Sequence, residues 1–294
     1  MSKVLLRTAA LIAFMLGSSF SVAADQRALT IMLTNDDGYQ APGLLALRDA
    51  LRGAGHHVVI VAPRTDQSGS SVKISTTPVG VVEEVSDTWV VDGSPADAAG
   101  VGLDMVFASK APELVVSGAN RGQNLGTTTN LSGTVGAAVF SAMHLVPAMA
   151  VSVGMDLSER TAGFPSTVAA YPAAAKFVTK LVAELAASAH GGVLLPPRTL
   201  LNVNYPARAE SAIKGVRWAN VGALGGMHFA YKALPDHHAK LSYGPETVVE
   251  PDPTHADTAL FEQGYITLSV LDVSWQAPHA LVDEVTARLK AVAP

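Results

Sequence analysis

Cysteine is absent from the chain. Disulfides and thiolate-bound zinc are therefore excluded, and the composition suits an oxidising compartment. Beyond the N-terminal region, no apolar stretch reaches the ~20 residues that a membrane-spanning helix needs. An excess of positive charge is missing as well. The formal net charge is −5, which argues against a nucleic-acid duplex as partner through bulk electrostatics. An anionic substrate must then be attracted locally, by a metal, an arginine or backbone amides. No internal repeat and no low-complexity linker divides the 294 residues, a length that allows one large domain or two small ones.

The first residues read as an export signal. Lys3 and Arg7 give a positive start, Ala9 to Leu16 is an unbroken apolar run, and Ser21-Val22-Ala23-Ala24 offers small residues for cleavage. A buried N-terminal helix or an uncleaved anchor is the alternative. The expectation is a signal peptide over residues 1–24, a periplasmic or secreted protein, and a single domain over 25–294. Losing Lys3 and Arg7 takes the net charge from −5 to −7.

From there, strand and helix signals alternate at short intervals. The apolar run ending at Thr34 leads into Pro42 to Ala54, where Leu44, Leu47 and Leu51 recur at helical spacing. Val58 to Val61, Trp89 to Val91, Leu114 to Val116 and Ala148 to Val153 read as strands. Gly133 to Leu145 and Tyr171 to Ala187 read as helices, the latter with Phe177, Leu181 and Leu185 inward. Ser94 caps a helix that has Pro95 at its first position. Continuous short apolar runs of this kind are buried on both faces. The fold class expected is α/β, a Rossmann-like, mostly parallel sheet with helices on both faces. Residues 219–262 are rich in Gly, Pro and His with weak periodicity, and predict a projecting arm or hairpin suited to oligomerisation or left as a disordered excursion. Leu200 to Asn204 and Ile266 to Leu271 supply late strands. Leu281, Val285, Leu289 and Val292 space out a closing helix.

Chemistry concentrates at predicted strand ends. Residues 31–38, Ile-Met-Leu-Thr-Asn-Asp-Asp-Gly, end a strand in two adjacent acids. Crowded carboxylates are costly unless a cation neutralises them, so Asp36 and Asp37 are candidate metal ligands, with a plain turn as the alternative reading. Residues 62–71 add a Ser/Gly loop whose hydroxyls and amides suit an oxyanion or a hard cation. Residues 117–126 carry three glycines at four-residue spacing together with Asn120 and Asn124, whose amides can face a ligand. They form neither the dinucleotide fingerprint nor a Walker loop. Ser132, Gly133 and Thr134 open a helix, where exposed amides attract anions. Four such loops after successive strands would share one edge of the sheet, where open α/β sheets bind ligands.

The segments 33–43, 61–71, 93–97, 116–126, 132–138 and 201–206, with a late Gly264-Tyr265-Ile266-Thr267-Leu268 strand, resemble the SurE family of survival-protein nucleotidases. The likeness runs from about Leu29 to Leu271. It implies one divalent ion per subunit, Mg2+ or Mn2+, held by Asp36, Asp37, Ser68 and Asn120. Asp36 and Asp37 would be the catalytic pair, with phosphate contacts from Asn124 and from Ser132, Gly133 and Thr134. It further implies hydrolysis of nucleoside 5′- and 3′-monophosphates, some action on polyphosphate, and a homodimer or homotetramer with exchanged C-terminal segments. Arg121 stands where the family has a small residue and adds a cation beside the phosphate as a substrate-binding group. Thr127 to Leu131 replaces a more acidic stretch. An export signal is unusual for this mostly cytoplasmic family.

Other readings are a broad-specificity acid phosphatase or exopolyphosphatase, a metal-dependent deacetylase, and a non-catalytic exported nucleotide-binding protein. The deacetylase would place a histidine just before its paired aspartates, where this chain has Asn35. His56 and His57 are expected to face solvent. His228, His237, His238 and His255 in the arm are too irregularly spaced to favour zinc.

Overall fold

The computed structural model describes residues 27–189, 191–245 and 248–289. The export segment expected over residues 1–24 lies outside them. The strands are β1 (Thr30–Thr34), β2 (His57–Pro63), β3 (Val81–Val85), β4 (Thr88–Val91), β5 (Leu114–Arg121), β6 (Ala148–Val153), β7 (Thr199–Tyr205), β8 (Val216–Trp218), β9 (Met227–Ala233), β10 (Ala239–Pro245) and β11 (Ile266–Asp272). The helices are α1 (Pro42–Gly53), α2 (Pro95–Val101), α3 (Gly133–Met143), α4 (Pro165–Ala187), α5 (Asp257–Glu262) and α6 (His279–Arg288). Nine strands form one sheet in the order β3-β4-β2-β1-β5-β6-β7-β11-β8. From β4 across to β7 the neighbours run parallel, and β3 and β11 join antiparallel. The fold is mixed α/β with a mostly parallel sheet, as the sequence pattern implies.

Alternation along each strand divides the interior into two layers. Ile31 and Leu33, Val58 and Ile60, Leu114 and Val116, and Met149 and Val151 point into a core shared with α1 and α4. Their neighbours Met32, Val59, Val61, Val115 and Ala150 point into the opposite core, with α2 and α3. A strand's two-residue period sends successive side chains to opposite faces. A doubly covered strand is therefore apolar at most positions, as these short hydrophobic runs are, with its buried polar residues near the strand ends at the site.

Three elements differ from expectation. β5 continues to Arg121 with a register shift against β6 between Ser117 and Asn120. Pairing with β6 draws a polar, glycine-containing stretch into the sheet, and the irregularity re-aims Asn120. α4 starts at Pro165 rather than Tyr171, since Pro165 suits the first helical turn and buried Thr167 donates its hydroxyl to the Gly154 carbonyl (2.7 Å). α6 forms at the expected place, but Leu281, Val285 and Leu289 stay more than half exposed. Within the expected arm, β9 and β10 pair as an antiparallel hairpin outside the main sheet.

His56 corrects another expectation. It is 5% exposed, and its Nδ1 accepts the Leu29 N–H (3.1 Å), so it closes the α1–β2 connection from inside. Burial pushes its pKa below the usual histidine value. His57 faces solvent.

α1 is pressed against the end of β5. A methyl group on Gly43 would overlap the Ala119 carbonyl oxygen and lie 2.8 Å from the Tyr171 ring. This contact holds the β1–α1 loop beside the β5 loop. Overpacking of this kind costs typically about 1–3 kcal/mol. Gly43→Ala is expected to lower the unfolding free energy by about that amount in urea denaturation, whereas Gly53→Ala, where a methyl meets nothing, leaves the fold intact.

Candidate active site

Because β1, β2 and β5 are parallel neighbours, the loops that follow them leave the sheet on one edge. The first loop is fixed by its own side chain: Asn35 Nδ2 donates to the Gly38 carbonyl (2.9 Å). The second is drawn to it by the Gln67 N–H, which donates to the Asp36 carbonyl (2.7 Å). The next residue, Ser68, is exposed, and its N–H donates to Asp66 Oδ1 (2.8 Å). Farther along, Ser71 donates its hydroxyl to the Asn130 carbonyl (2.7 Å). Ser75 donates its N–H and hydroxyl to Asp97, which completes a capping box with Ser94 at the start of α2. The end of the serine-rich loop is thus tied to the residues just before α3, and the chain after it to the first turn of α2.

Asp36 is 3% exposed and lies against the first turn of α3. Thr134 donates its hydroxyl to Asp36 Oδ1 (2.5 Å), and Ser132 caps the helix by accepting the Val135 N–H (3.1 Å). Gly133 is required between them. A methyl there would sit 2.9 Å from Asp36 Cβ and 2.6 Å from Ser70 Oγ. The anion-attracting end of α3 therefore faces a protein carboxylate first. Burial pushes the Asp36 pKa up, the hydrogen bonds from Thr134 oppose that, and the Asp66 charge adds to it.

Asp37 accepts the Arg121 N–H at Oδ2 (3.0 Å). The Arg121 guanidinium lies 3.9 Å from Asp37 Oδ1 and 3.5 Å from Asp66 Oδ2. Burial and the neighbouring Asp36 charge push the Asp37 carboxyl up to about 6, against the pull of Arg121. One arginine thus stands among three carboxylates, and the edge remains net negative.

The two asparagines behave differently. Asn120 Nδ2 donates to the Gly122 carbonyl (2.7 Å), which leaves the amide oxygen as its group for a ligand. Asn124 is buried and knotted into the sheet. Its N–H donates to Asn204 Oδ1 (2.7 Å), its Nδ2 to Ser152 Oγ (2.9 Å), and its carbonyl accepts from Asn202 and Asn204. The loop after it is anchored by Asp257, fully buried, which accepts the N–H groups of Gly126 and Gly222. Asp66, Ser70 and Asn204 sit inside segments that residue pattern alone marks out, but nothing in that pattern assigns them a role. Asp257 lies in the arm, where no local signal points to it.

The donor set can be weighed against a hard dication. Among the described residues, no group of three or more His, Cys, Asp or Glu side chains could hold a metal. The arm histidines therefore form no zinc cluster there. What the edge does offer is buried Asp36 beside half-buried Asp37, both with elevated pKa values, and neutral oxygens nearby, from Asn120 and from buried Asn35 Oδ1 and Ser70 Oγ, which have no hydrogen-bond partner. Oxygen-only donors of this kind fit Mg2+ or Mn2+ better than softer metals. A separate cavity of about 390 Å³ borders Ser71, Ser132 and Trp275 without being lined by Asp36 or Asp37.

A family model described as Survival protein SurE matches residues 31–225. The chain belongs to the SurE family. It is 32% identical over 267 residues to 5′-nucleotidase SurE 1 of Burkholderia lata, covering 88% of this chain and 95% of that relative. It is 34% identical over 267 residues to 5′-nucleotidase SurE of Vibrio cholerae strain O395, covering 88% and 94%. The crystal structure of the SurE protein from Aquifex aeolicus superposes with a TM-score of 0.71 at 27% identity, over 88% of this chain and 99% of that one. The SurE-like segments from Leu33 through Leu201-Asn-Val-Asn-Tyr-Pro206 all fall inside the matched span. The location expected from the N-terminus is corrected by the same comparison. The family match begins at residue 31, the SurE relatives bear 5′-nucleotidase names with no mark of export, and residues 1–24 lie outside the described chain. The comparison speaks against a periplasmic or secreted location. No described helix is long and apolar enough to cross a membrane.

The Asp37 shift has a measurable consequence in metal-free protein. The folded chain keeps a proton on Asp37 up to about pH 6, whereas an unfolded chain releases it near 4. Between those values the folded state binds more protons, so this group's stabilisation is full below about pH 4 and is lost as pH rises through 6. In EDTA, Asp37→Asn is expected to be more stable than the parent at pH 7, by on the order of 1–3 kcal/mol. The difference should shrink toward pH 4. Urea unfolding of both proteins across that range checks it.

Proposed function

We propose that this SurE-family chain is a divalent-metal-dependent phosphomonoesterase that hydrolyses nucleoside 5′- and 3′-monophosphates to nucleoside and phosphate. The observation that carries the reading is the pair of neighbouring carboxylates, buried Asp36 and half-buried Asp37, at the edge of the sheet where the loops after β1, β2 and β5 leave it. The relatives named 5′-nucleotidase SurE support the substrate class.

Asp36, Asp37, Ser68 and Asn120 are the residues that would hold one Mg2+ or Mn2+. Such an ion, when bound, neutralises phosphate charge and lowers the pKa of a coordinated water. The protein's own part is positional. Thr134 fixes the Asp36 carboxylate through Oδ1, so that its geometry does not relax when substrate arrives. Asp37 is oriented by the Arg121 N–H at Oδ2 and is the candidate proton acceptor. The Arg121 guanidinium, 46% exposed, can turn from Asp66 toward a phosphate oxygen and form a charge-assisted hydrogen bond. Gly133 lets Asp36 and Ser70 pack against the start of α3, while Ser132 holds the turn in shape. Asn124 supports the glycine-rich loop from beneath through Asn202 and Asn204.

A dimer or tetramer fits the exposed apolar residues of α6 and of the β9–β10 hairpin, Leu281, Val285 and Tyr231 among them. Sedimentation of the purified protein measures that.

Removing one preorganised electrostatic group typically costs about 10²–10³ in rate. Asp36→Asn is expected to lose at least that factor toward a nucleoside monophosphate while retaining its circular dichroism. EDTA should abolish turnover, and Mg2+ or Mn2+ should restore it. Near-parental turnover by Asp36→Asn would refute the assignment. A parallel assay on p-nitrophenyl phosphate and an acetylated amino sugar separates phosphatase from deacetylase. Release of phosphate in a single turnover excludes a purely binding protein.

A further inference from the structure

The loops after β5, β6 and β7 leave the same edge of the sheet as Asp36 and Asp37, since these strands run parallel to β1. Among them lies a cavity of about 300 Å³, at the lower end of the range for small-molecule sites. Gln123 and Leu125 border it from the β5 loop, Met155 from the β6 loop, Arg208 from the β7 loop and Phe261 from α5. The sheet sets its distance from the carboxylates. Neighbouring strands stand about 4.8 Å apart, so the end of β6 is about 10 Å from the end of β1. The backbone also joins the two places. Arg121 gives its N–H to Asp37 (3.0 Å), and the next residue, Gly122, gives its own to the Val153 carbonyl at the end of β6 (2.8 Å). A methyl on Gly122 would lie 3.5 Å from Met155 Cε, so the cavity begins just beyond the segment that holds Asp37.

The walls are apolar without belonging to the core. Met155 and Phe261 are half-buried and pack into neither hydrophobic layer. Phe261 reaches over the end of β6, where a methyl on Gly154 would lie 2.9 Å from its Cζ. Met155 donates its N–H to Gln123 Oε1 (3.0 Å), which leaves Gln123 Nε2 without a partner among the described residues. Apolar walls with an amide donor suit a nucleobase, whose π-face stacks on aromatic and apolar side chains and whose edge carries acceptors. Two other cavities fit a base less well. One of about 340 Å³, after β2 and β4, is walled by Arg64, Lys73 and Asp92 and is strongly charged. The one beside α3 extends to Leu271 and Asp272, which pair with the start of β7 at the opposite edge of the sheet.

We propose that the cavity between the β5, β6 and β7 loops receives the base of the nucleotide, with Phe261 and Met155 as the residues that favour a nucleoside ester over a simple phosphate ester. The inference rests on the phosphomonoesterase reading and places the part of the substrate that the carboxylate edge does not hold. It involves no covalent step. Because the base lies away from the reacting bond, its contacts are the same in the bound substrate and in the transition state. Their loss therefore raises KM and leaves kcat largely as it was.

The test uses the full-length protein loaded with Mn2+ and two substrates that share the sugar and the ester, adenosine 5′-monophosphate and ribose 5-phosphate. For Phe261→Ala and Met155→Ala, the ratio of kcat/KM on the nucleotide to kcat/KM on the sugar phosphate is expected to fall about tenfold, through KM. Adenosine should compete in the parent and inhibit both variants about tenfold more weakly. Circular dichroism shows whether each variant folds, and Met155→Ala supplies the answer if Phe261→Ala does not. An unchanged ratio in the folded variants overturns the proposal. So does an equal loss on both substrates, which would mark a general disturbance of the edge. If the parent cleaves both substrates while the variants keep its ratio, the phosphomonoesterase reading stands and the base pocket alone fails. If the parent cleaves neither, that reading falls and this proposal falls with it.

Discussion

Taking two consecutive carboxylates out of water at the end of a central strand, Asp36 wholly and Asp37 in large part, is the constraint around which this edge of the molecule is arranged. Neither side chain can reach bulk water freely, and burial raises both pKa values. Each is stabilised by a different neighbour. Asp36 sits on the start of α3, where Thr134 and the helix dipole favour its charged form. Asp37 takes the backbone and side chain of Arg121, at the end of β5. The helix after one loop and the strand beside it must therefore be placed accurately for β1 to end as it does. Even so, these contacts do not remove the cost, since both carboxyls remain above their ordinary range. A site left electrostatically incomplete by the protein is one that gains most from a bound cation, the usual balance between stability and function.

Arg121 and Asp66 adjust that balance at the surface. The arginine is shared between Asp37 and Asp66, at 3.9 and 3.5 Å, and both partners keep it over the mouth of the site. These are exposed or partly exposed contacts, each worth little by itself. Weakness suits the position. A guanidinium held loosely can exchange one carboxylate for a phosphate oxygen at small cost, whereas a fully buried pair would have to be desolvated again.

Much of the fold could be read from residue order because the central strands are covered on both faces. Runs such as Val58 to Val61 and Ala148 to Val153 are buried along their whole length. β3 and β8 escape for the opposite reason. Glu83 and Glu84 lie exposed in β3, and all three residues of β8 are exposed, so only pairing with a neighbour makes them strands. Ser117 to Arg121 has the composition of a turn and is recruited into β5 by β6. In the site, adjacent acids and glycine-rich loops are visible locally. Asp257 is not, since its contact with Gly126 spans 131 positions and has no local signature. His56 misleads because it adjoins exposed His57, although the two residues fall on either side of the point where the chain enters β2.

The Leu201-Asn-Val-Asn-Tyr-Pro206 segment shows how a family motif can be structural and still belong to the site. Alternation along β7 sends Leu201, Val203 and Tyr205 into the core with α1 and α4. Asn202 and Asn204 then face the other side, where β6 presents Ser152 opposite Asn204. Both asparagines donate to the Asn124 carbonyl, and Asn204 accepts the Asn124 N–H. Removing either asparagine would leave the buried Asn124 carbonyl short of a donor, which is costly. The glycine-rich loop is thereby fastened to the sheet at Asn124, while Asn120, four residues earlier, stays at its open edge. Two asparagines in one segment thus divide the labour, one holding the backbone and one presenting an amide oxygen, and the alternating Asn residues of β7 make that division possible.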